Sequence, residues 1–82
     1  MILKVCRQKK INEGDCGTTE LVTEFYSGNT YKENSGVVII GENSIVITSY
    51  DQLDEISGKI IHFETLNVYL MNDEGKTIER II

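Results

Sequence analysis

The chain has 82 residues, a net charge of −5, two cysteines and neither proline nor tryptophan. A chain of this length forms one domain, residues 1–82, and leaves little volume for a deep substrate cleft. It contains no run of eighteen apolar residues and no secretion signal, so we expect a cytoplasmic protein without membrane contact. Its many isoleucines, and the excess of lysine over arginine, are typical of an AT-rich gene from a low-GC bacterium or phage.

The first part of the chain is patterned as strands. Residues 2–8 and 21–26 predict the first two strands, and the segment between them is rich in turn formers. A hairpin that turns near residues 12–14 places Cys6 opposite about residue 20 and away from Cys16. We therefore expect two free thiols, no metal site and no cofactor. Residues 27–36 predict the longest loop.

Gly36 and Gly41 have the spacing of a phosphate-binding loop, but the rest of that motif is missing. Glu42 stands where the motif requires lysine, and the four residues between the glycines are β-branched, which suits a strand. Residues 37–40 and 45–47 therefore predict an apolar hairpin. Because both runs are apolar at consecutive positions, we expect both of its faces to be covered by other parts of the chain or by a partner.

A single helical signal follows, and it predicts a short helix near residues 50–57. Ser49 and Gln52 have the spacing of a capping box, two acidic residues occupy the opening turns, and Gly58 suits the end of a helix. The apolar residues that follow change parity along the next strand. That change predicts a bulge near residues 64–66.

Phe25 and Phe63 are predicted to lie in the core, and His62 to be exposed on the opposite face of its strand from Phe63. A last hairpin is expected around residues 72–75. Its final strand ends in Ile81 and Ile82, and an apolar edge strand needs cover, which favours a homodimer.

Six or seven short strands and one short helix predict a mainly β domain. Hairpin turns at close spacing favour a small antiparallel barrel or a strongly curved sheet, SH3-like in size. The alternative is an open α+β sheet packed on the helix.

Charge is distributed unevenly along the chain. Four of the eight basic residues lie in the first ten positions, whereas all thirteen acidic residues lie in the remainder. The basic segment suggests, as one alternative, a small nucleic-acid-binding β domain that uses Lys4, Arg7, Lys9 and Lys10. The aromatic residues are not interleaved with this segment, as a stacking platform would require.

The acidic residues favour a protein partner instead. Asp51, Asp54 and Glu55, together with Tyr50, predict a surface that docks on a basic protein, such as the nucleic-acid site of another protein. No nucleophile, base and orienting group come together in the sequence, so we predict that the protein is not an enzyme. The main expectation is an acidic protein-binding module, a regulator or inhibitor from a phage, mobile element or low-GC bacterium.

Overall fold

The computed structural model of the chain describes residues 1–13 and 16–82, and every helix or strand assigned there is a β-strand. The strands are Ile2–Glu13 (β1), Cys16–Ser27 (β2), Tyr31–Asn34 (β3), Val37–Ile40 (β4), Asn43–Val46 (β5), Tyr50–Asp54 (β6), Lys59–Met71 (β7) and Thr77–Arg80 (β8). The mainly β class is confirmed. No helix in the described residues is long and apolar enough to cross a membrane.

The strands form two antiparallel sheets. The long sheet has the order β2–β1–β7–β6, and β8 pairs with the other end of β7; the small sheet has the order β3–β4–β5. The long sheet stays open, so the structure is not a closed barrel. The described residues contain eight strands instead of six or seven. β3 forms inside segment 27–36, for which the sequence predicts a loop, and β6 takes the place of the predicted helix.

The core lies where one face of the small sheet covers one end of the long sheet. Its buried side chains alternate along their strands and are Leu3, Val5, Val38, Ile40, Ile45, Ile47, Val68 and Leu70. The alternation leaves Ile39 and Val46 exposed on the outer face of the small sheet. The prediction that other parts of the chain cover both faces of this hairpin is therefore wrong, whereas cover by a partner stays a prediction. The hairpin itself is confirmed.

The opposite face of the long sheet is uncovered along its whole length. In the β1–β2 register Tyr26 lies opposite Leu3 on the core side, so the adjacent Phe25, opposite Lys4, points the other way. Phe25 is 61% exposed, and its predicted place in the core is wrong. The same register puts Cys6 opposite Thr23, whereas the sequence predicts that it lies opposite about residue 20.

The predicted helix at residues 50–57 is also wrong. Tyr50–Asp54 is strand β6, and it pairs in register with Lys59–Phe63 of β7. The Ser49 hydroxyl, expected to cap a helix, instead accepts a hydrogen bond at 3.0 Å from the backbone N–H of Thr65. Serine, aspartate and glycine favour helix ends and tight turns for the same local reasons, and here the pairing with β7 decides between them.

The predicted bulge and last hairpin are confirmed. Cys6 pairs with Asn67 and Arg7 with Thr65, which leaves Leu66 as the extra residue of β7. At the last turn the Asn72 side chain accepts hydrogen bonds from the backbone of Glu74 and Lys76.

Arg7 is a buried cation between the two sheets, with only 2% of its surface exposed. Its guanidinium donates hydrogen bonds to the Thr65 hydroxyl at 2.9 Å and to the carbonyl of Thr48 at 3.3 Å, and a further one to the carbonyl of Val46. Its Nε lies 3.6 Å from a carboxylate oxygen of Glu24. Arg7 thus joins β1 and β7 of the long sheet to the segment that leaves the small sheet.

We expect Arg7→Met to lower the free energy of unfolding by about 3 kcal/mol, because it removes the hydrogen-bond donor of the part-buried Val46 and Thr48 carbonyl groups and of the Thr65 hydroxyl. Lys4→Met is the matched control, since Lys4 lies in the same strand on the uncovered face. It should change stability by no more than about 0.5 kcal/mol. Urea unfolding measures both, and equal effects would show that Arg7 does not join the sheets.

Two tyrosines make stability depend on alkaline pH. Burial, with a 2.7 Å hydrogen bond to Glu24, raises the pKa of Tyr26 to about 12, and burial with the nearby Glu33 raises the pKa of Tyr31 to about 12. Above pH 10 the unfolded chain releases protons that the folded chain still holds, so stability present below pH 10 falls as pH approaches 12. In urea titrations between these values, the double variant Tyr26→Phe, Tyr31→Phe should lose less stability than the parent. An equal loss would contradict the assignment.

Candidate protein-contact hairpin

The β6–β7 hairpin ends in a turn built by one aspartate. The Asp54 carboxylate accepts hydrogen bonds from the Ile56 backbone N–H at 3.1 Å and the Ser57 hydroxyl at 2.8 Å, while its carbonyl accepts one from Gly58 N–H at 2.7 Å. Gly58 has φ of 70°, which a side chain would disfavour. These contacts give the turn a defined shape although it projects into solvent.

Three large apolar side chains are exposed at this hairpin tip, which we define as residues 51–60. Leu53 and Ile60, a directly paired couple, are 60% and 62% exposed, and Ile56 in the turn is 99% exposed. A cluster of this kind beside charged residues is typical of a contact surface rather than of a solvated turn. The tip lies at the end of the long sheet away from the core, because it follows the strand positions paired with Lys10 and Ile11 of β1.

The predicted acidic residues are brought together in part. Asp54 and Glu55 lie within the turn, and Asp51 lies nearby on β6, where its carboxylate is 2.6 Å from Nδ1 of His62. Tyr50 is separated from them, because it faces the core side of the sheet. Its ring stacks on Phe63 with 5.0 Å between centroids.

The Tyr50 ring also supports the buried arginine. The Arg7 guanidinium carbon lies 5.1 Å from the centre of this ring, within the range of a cation–π contact. Tyr50 therefore serves to position Arg7 and Phe63, and in this structure it is not part of the acidic surface that the sequence predicted.

A groove of about 500 Å³ runs beneath the tip. Its lining combines the tip with the core-side face of the neighbouring strands: Lys9, Gln52, Leu53, Asp54, Glu55, Ile56, Ile61 and Phe63. The exposed apolar tip is therefore continuous with a partly apolar depression that carries both signs of charge.

The four residues of the basic segment do not form one surface. Arg7 is buried, and Lys9 lies on the core-side face of the sheet, whereas Lys4 and Lys10 lie on the uncovered face. Lys10 is in addition paired with Glu64 at 3.1 Å. The alternating directions of a strand thus split a run that is continuous in sequence.

Cys6 and His62, which could in principle act as a nucleophile and its base, are also apart. His62 lies opposite Lys10, while Cys6 is four positions further along β1, which corresponds to about 13 Å. His62 is half exposed on the uncovered face, as the sequence predicts, and its partner is Asp51. The side chain of Cys16 lies outside the described part of the chain.

Comparison of the chain with protein families, with curated proteins and with solved structures finds no match.

Leu53, Ile56 and Ile60 are the residues of the candidate surface that sequence reasoning missed. In a helix of residues 50–57 the spacing of Leu53 and Ile56 would direct both to the core. A signal was nevertheless present: Asp-Glu-Ile-Ser-Gly between two paired strands makes the central isoleucine a turn residue, and turn residues project into solvent.

We expect Ser57→Ala to raise the pKa of Asp54 toward its ordinary value. The hydrogen bond from the Ser57 hydroxyl is the largest cause that lowers this pKa, and the bond from Ile56 is the next. An NMR titration of the side-chain carboxyl carbon measures the change. Ser44→Ala, an exposed serine on β5, is the control and should leave the Asp54 titration unaltered. An unchanged pKa in Ser57→Ala would contradict the turn geometry.

Proposed function

We propose that the protein is a non-enzymatic protein-binding module, a regulator or inhibitor that contacts its target through the β6–β7 hairpin tip. The observation that carries the proposal is the exposure of Leu53, Ile56 and Ile60 at the end of a structured hairpin. A rigid apolar projection binds with a small loss of conformational entropy, which favours affinity. The target would offer an apolar pocket that accepts the turn.

The charges around the tip specify the surface expected on the target. Asp51, Asp54 and Glu55 lie among the apolar residues of the tip, so a basic rim around the pocket would be complementary. Surfaces that bind nucleic acid have this combination of basic charge and apolar pockets. The proposal therefore includes inhibition by occupation of such a surface as its most specific form.

Nucleic-acid binding is the second candidate, and one arrangement favours it. On the uncovered face, Lys4 lies between Phe25 and Tyr69, and Arg80 lies beside Tyr69 on β8. Alternating rings and cations could stack bases and neutralise phosphates. The two candidates use different ends of the long sheet, so they can be separated by substitution.

The discriminating experiment is capture of partners by the full chain, with and without nuclease treatment of the lysate. Ile56→Ser should weaken capture of a protein target about thirty-fold, as expected when an apolar anchor worth about 2 kcal/mol is removed. Ile78→Ser, on β8 and 58% exposed, is the control and should retain the target. Charge reversal at Asp51 and Glu55 should weaken capture as well, and more strongly at low salt.

Retention of the same target by Ile56→Ser and by the charge-reversed variant would refute the proposed contact surface. Loss of all specific material on nuclease treatment would favour the second candidate. In that case Lys4→Ala should weaken binding of a single-stranded oligonucleotide and reduce its dependence on salt.

A further inference from the structure

Strand β2 forms an edge of the long sheet that has no cover. In the described part of the chain β2 pairs with β1 alone, over twelve residues in one unbroken register. The other edge strands, β3, β5, β6 and β8, have only four or five residues. Natural proteins block long edges with charged side chains, above all lysine, and with proline or bulges. β2 contains no lysine, proline or bulge, and its only charged residues are Glu20 and Glu24.

The backbone hydrogen bonds show which groups of β2 are available. Met1 and Gly28 exchange both of their backbone bonds, at 2.9 and 3.0 Å. In an antiparallel register such pairs alternate with pairs that are not bonded, so the odd-numbered residues of β2 direct N–H and C=O away from β1. The Ser27 carbonyl agrees with this pattern, because it accepts a bond from the Asn43 side chain.

The exposed side chains of β2 also lie beside this edge. Leu21 and Phe25 are 73% and 61% exposed, and they flank Thr23 on the uncovered face of the sheet. Glu20 and Glu24 point to the opposite face. An added strand would therefore meet apolar groups on one face of the sheet and carboxylates on the other.

We propose that a second copy of this chain pairs with β2, antiparallel, about a two-fold axis through Thr23. A two-fold axis between antiparallel strands keeps each face of the sheet on its own side. Each residue then pairs with a residue on the same face, so the axis lies midway between one residue and the same residue of the second copy. Centred on Thr23, the pairing sets Leu21 against Phe25 of the second copy, twice, and Thr23 against itself. Such apolar and Thr–Thr pairs stabilise antiparallel strands.

Charge and side-chain contact distinguish this register from its neighbours. An axis through Val22 sets Glu20 against Glu24 of the second copy, twice, and directly opposed like charges are destabilising. An axis through Leu21 sets Phe25 against Gly17, which offers no side chain to contact. The register centred on Thr23 pairs Glu24 with Val22 and Glu20 with Tyr26. It joins nine residues of each strand through about eight backbone hydrogen bonds, because the Ser27 carbonyl of each copy already accepts a bond from Asn43.

The first test is sedimentation of the full chain over a concentration series, with Thr23→Pro as the variant. The wild-type chain should form dimers. Thr23→Pro should weaken dimerisation at least tenfold, because proline removes an outward N–H at the centre of the pairing and leaves the bonds between β1 and β2 intact. Circular dichroism checks that the variant is folded. A wild-type chain that stays monomeric at about 1 mM would overturn the proposal, as would a folded Thr23→Pro that dimerises normally.

Single cysteines test the register without relying on proline. In a chain carrying Cys6→Ser and Cys16→Ser, only the residue on the two-fold axis meets its own copy, at a Cα separation that a disulfide spans. Thr23→Cys should therefore form a covalent dimer on mild oxidation, and Val22→Cys and Leu21→Cys should not. Cross-linking at position 21 or 22 in preference to 23 would refute the register. Cross-linking at none of the three would refute β2 as the interface.

The dimer and the hairpin tip are independent features. The pairing uses the outer edge of β2, whereas the tip extends from β6 and β7 on the other side of the long sheet. A chain that is monomeric, but whose target capture is weakened by Ile56→Ser, would refute the dimer alone. A chain that is dimeric, but whose target capture is unchanged by Ile56→Ser, would refute only the proposed function.

Discussion

The fold depends on the buried guanidinium of Arg7 more than on any other single group. Eight aliphatic side chains form the core, but they lie at one end of an elongated molecule. Arg7 stands where that core ends, and its hydrogen bonds fix the chain as it leaves the small sheet for β6. Because an unpaired buried cation is costly, arrangements of the two sheets that would take these partners away from the guanidinium are disfavoured.

The contacts of Arg7 also connect the core to the rest of the long sheet. Its guanidinium lies against Tyr50, which stacks on Phe63, and Phe63 lies two positions from Ile61 in the groove beneath the tip. Packing therefore continues along the core-side face after the small sheet has ended. This series of contacts explains how a single layer of strands extends beyond the core with a defined twist and pairing.

Much of this fold was predictable from local patterns, and the errors share one cause. The apolar hairpin of β4 and β5, the bulge at Leu66 and the last turn were all predictable, because the alternation of apolar residues and the turn chemistry agree there. At residues 50–57 the local signals fit a helix cap and a strand turn equally well. The pairing of β6 with Lys59–Phe63 of β7 decides the outcome, and propensity cannot supply it.

The candidate site shows the same limit. The acidic residues of the surface are visible in the sequence, and two of them do lie in the turn. A helix over residues 50–57 would direct Leu53 and Ile56 to the core, whereas the chain forms a strand and a turn there. The basic run is continuous in sequence, although a strand divides it between two faces. A residue's side of a sheet follows from register, and register for β1 and β7 is set by the bulge between them. Without that register, burial of Arg7 and exposure of Phe25 are not deducible.

The position of the hairpin tip has a consequence for how such a protein would evolve. Side chains at the tip contact neither the core nor Arg7, so most substitutions there would change stability by no more than about 0.5 kcal/mol. Selection for binding can then act on the tip almost independently of selection for folding. Selection for folding acts mainly on the core at the other end of the molecule. A lineage that keeps Arg7 and the small sheet could exchange the residues of the turn rapidly, and so follow a target that is itself changing.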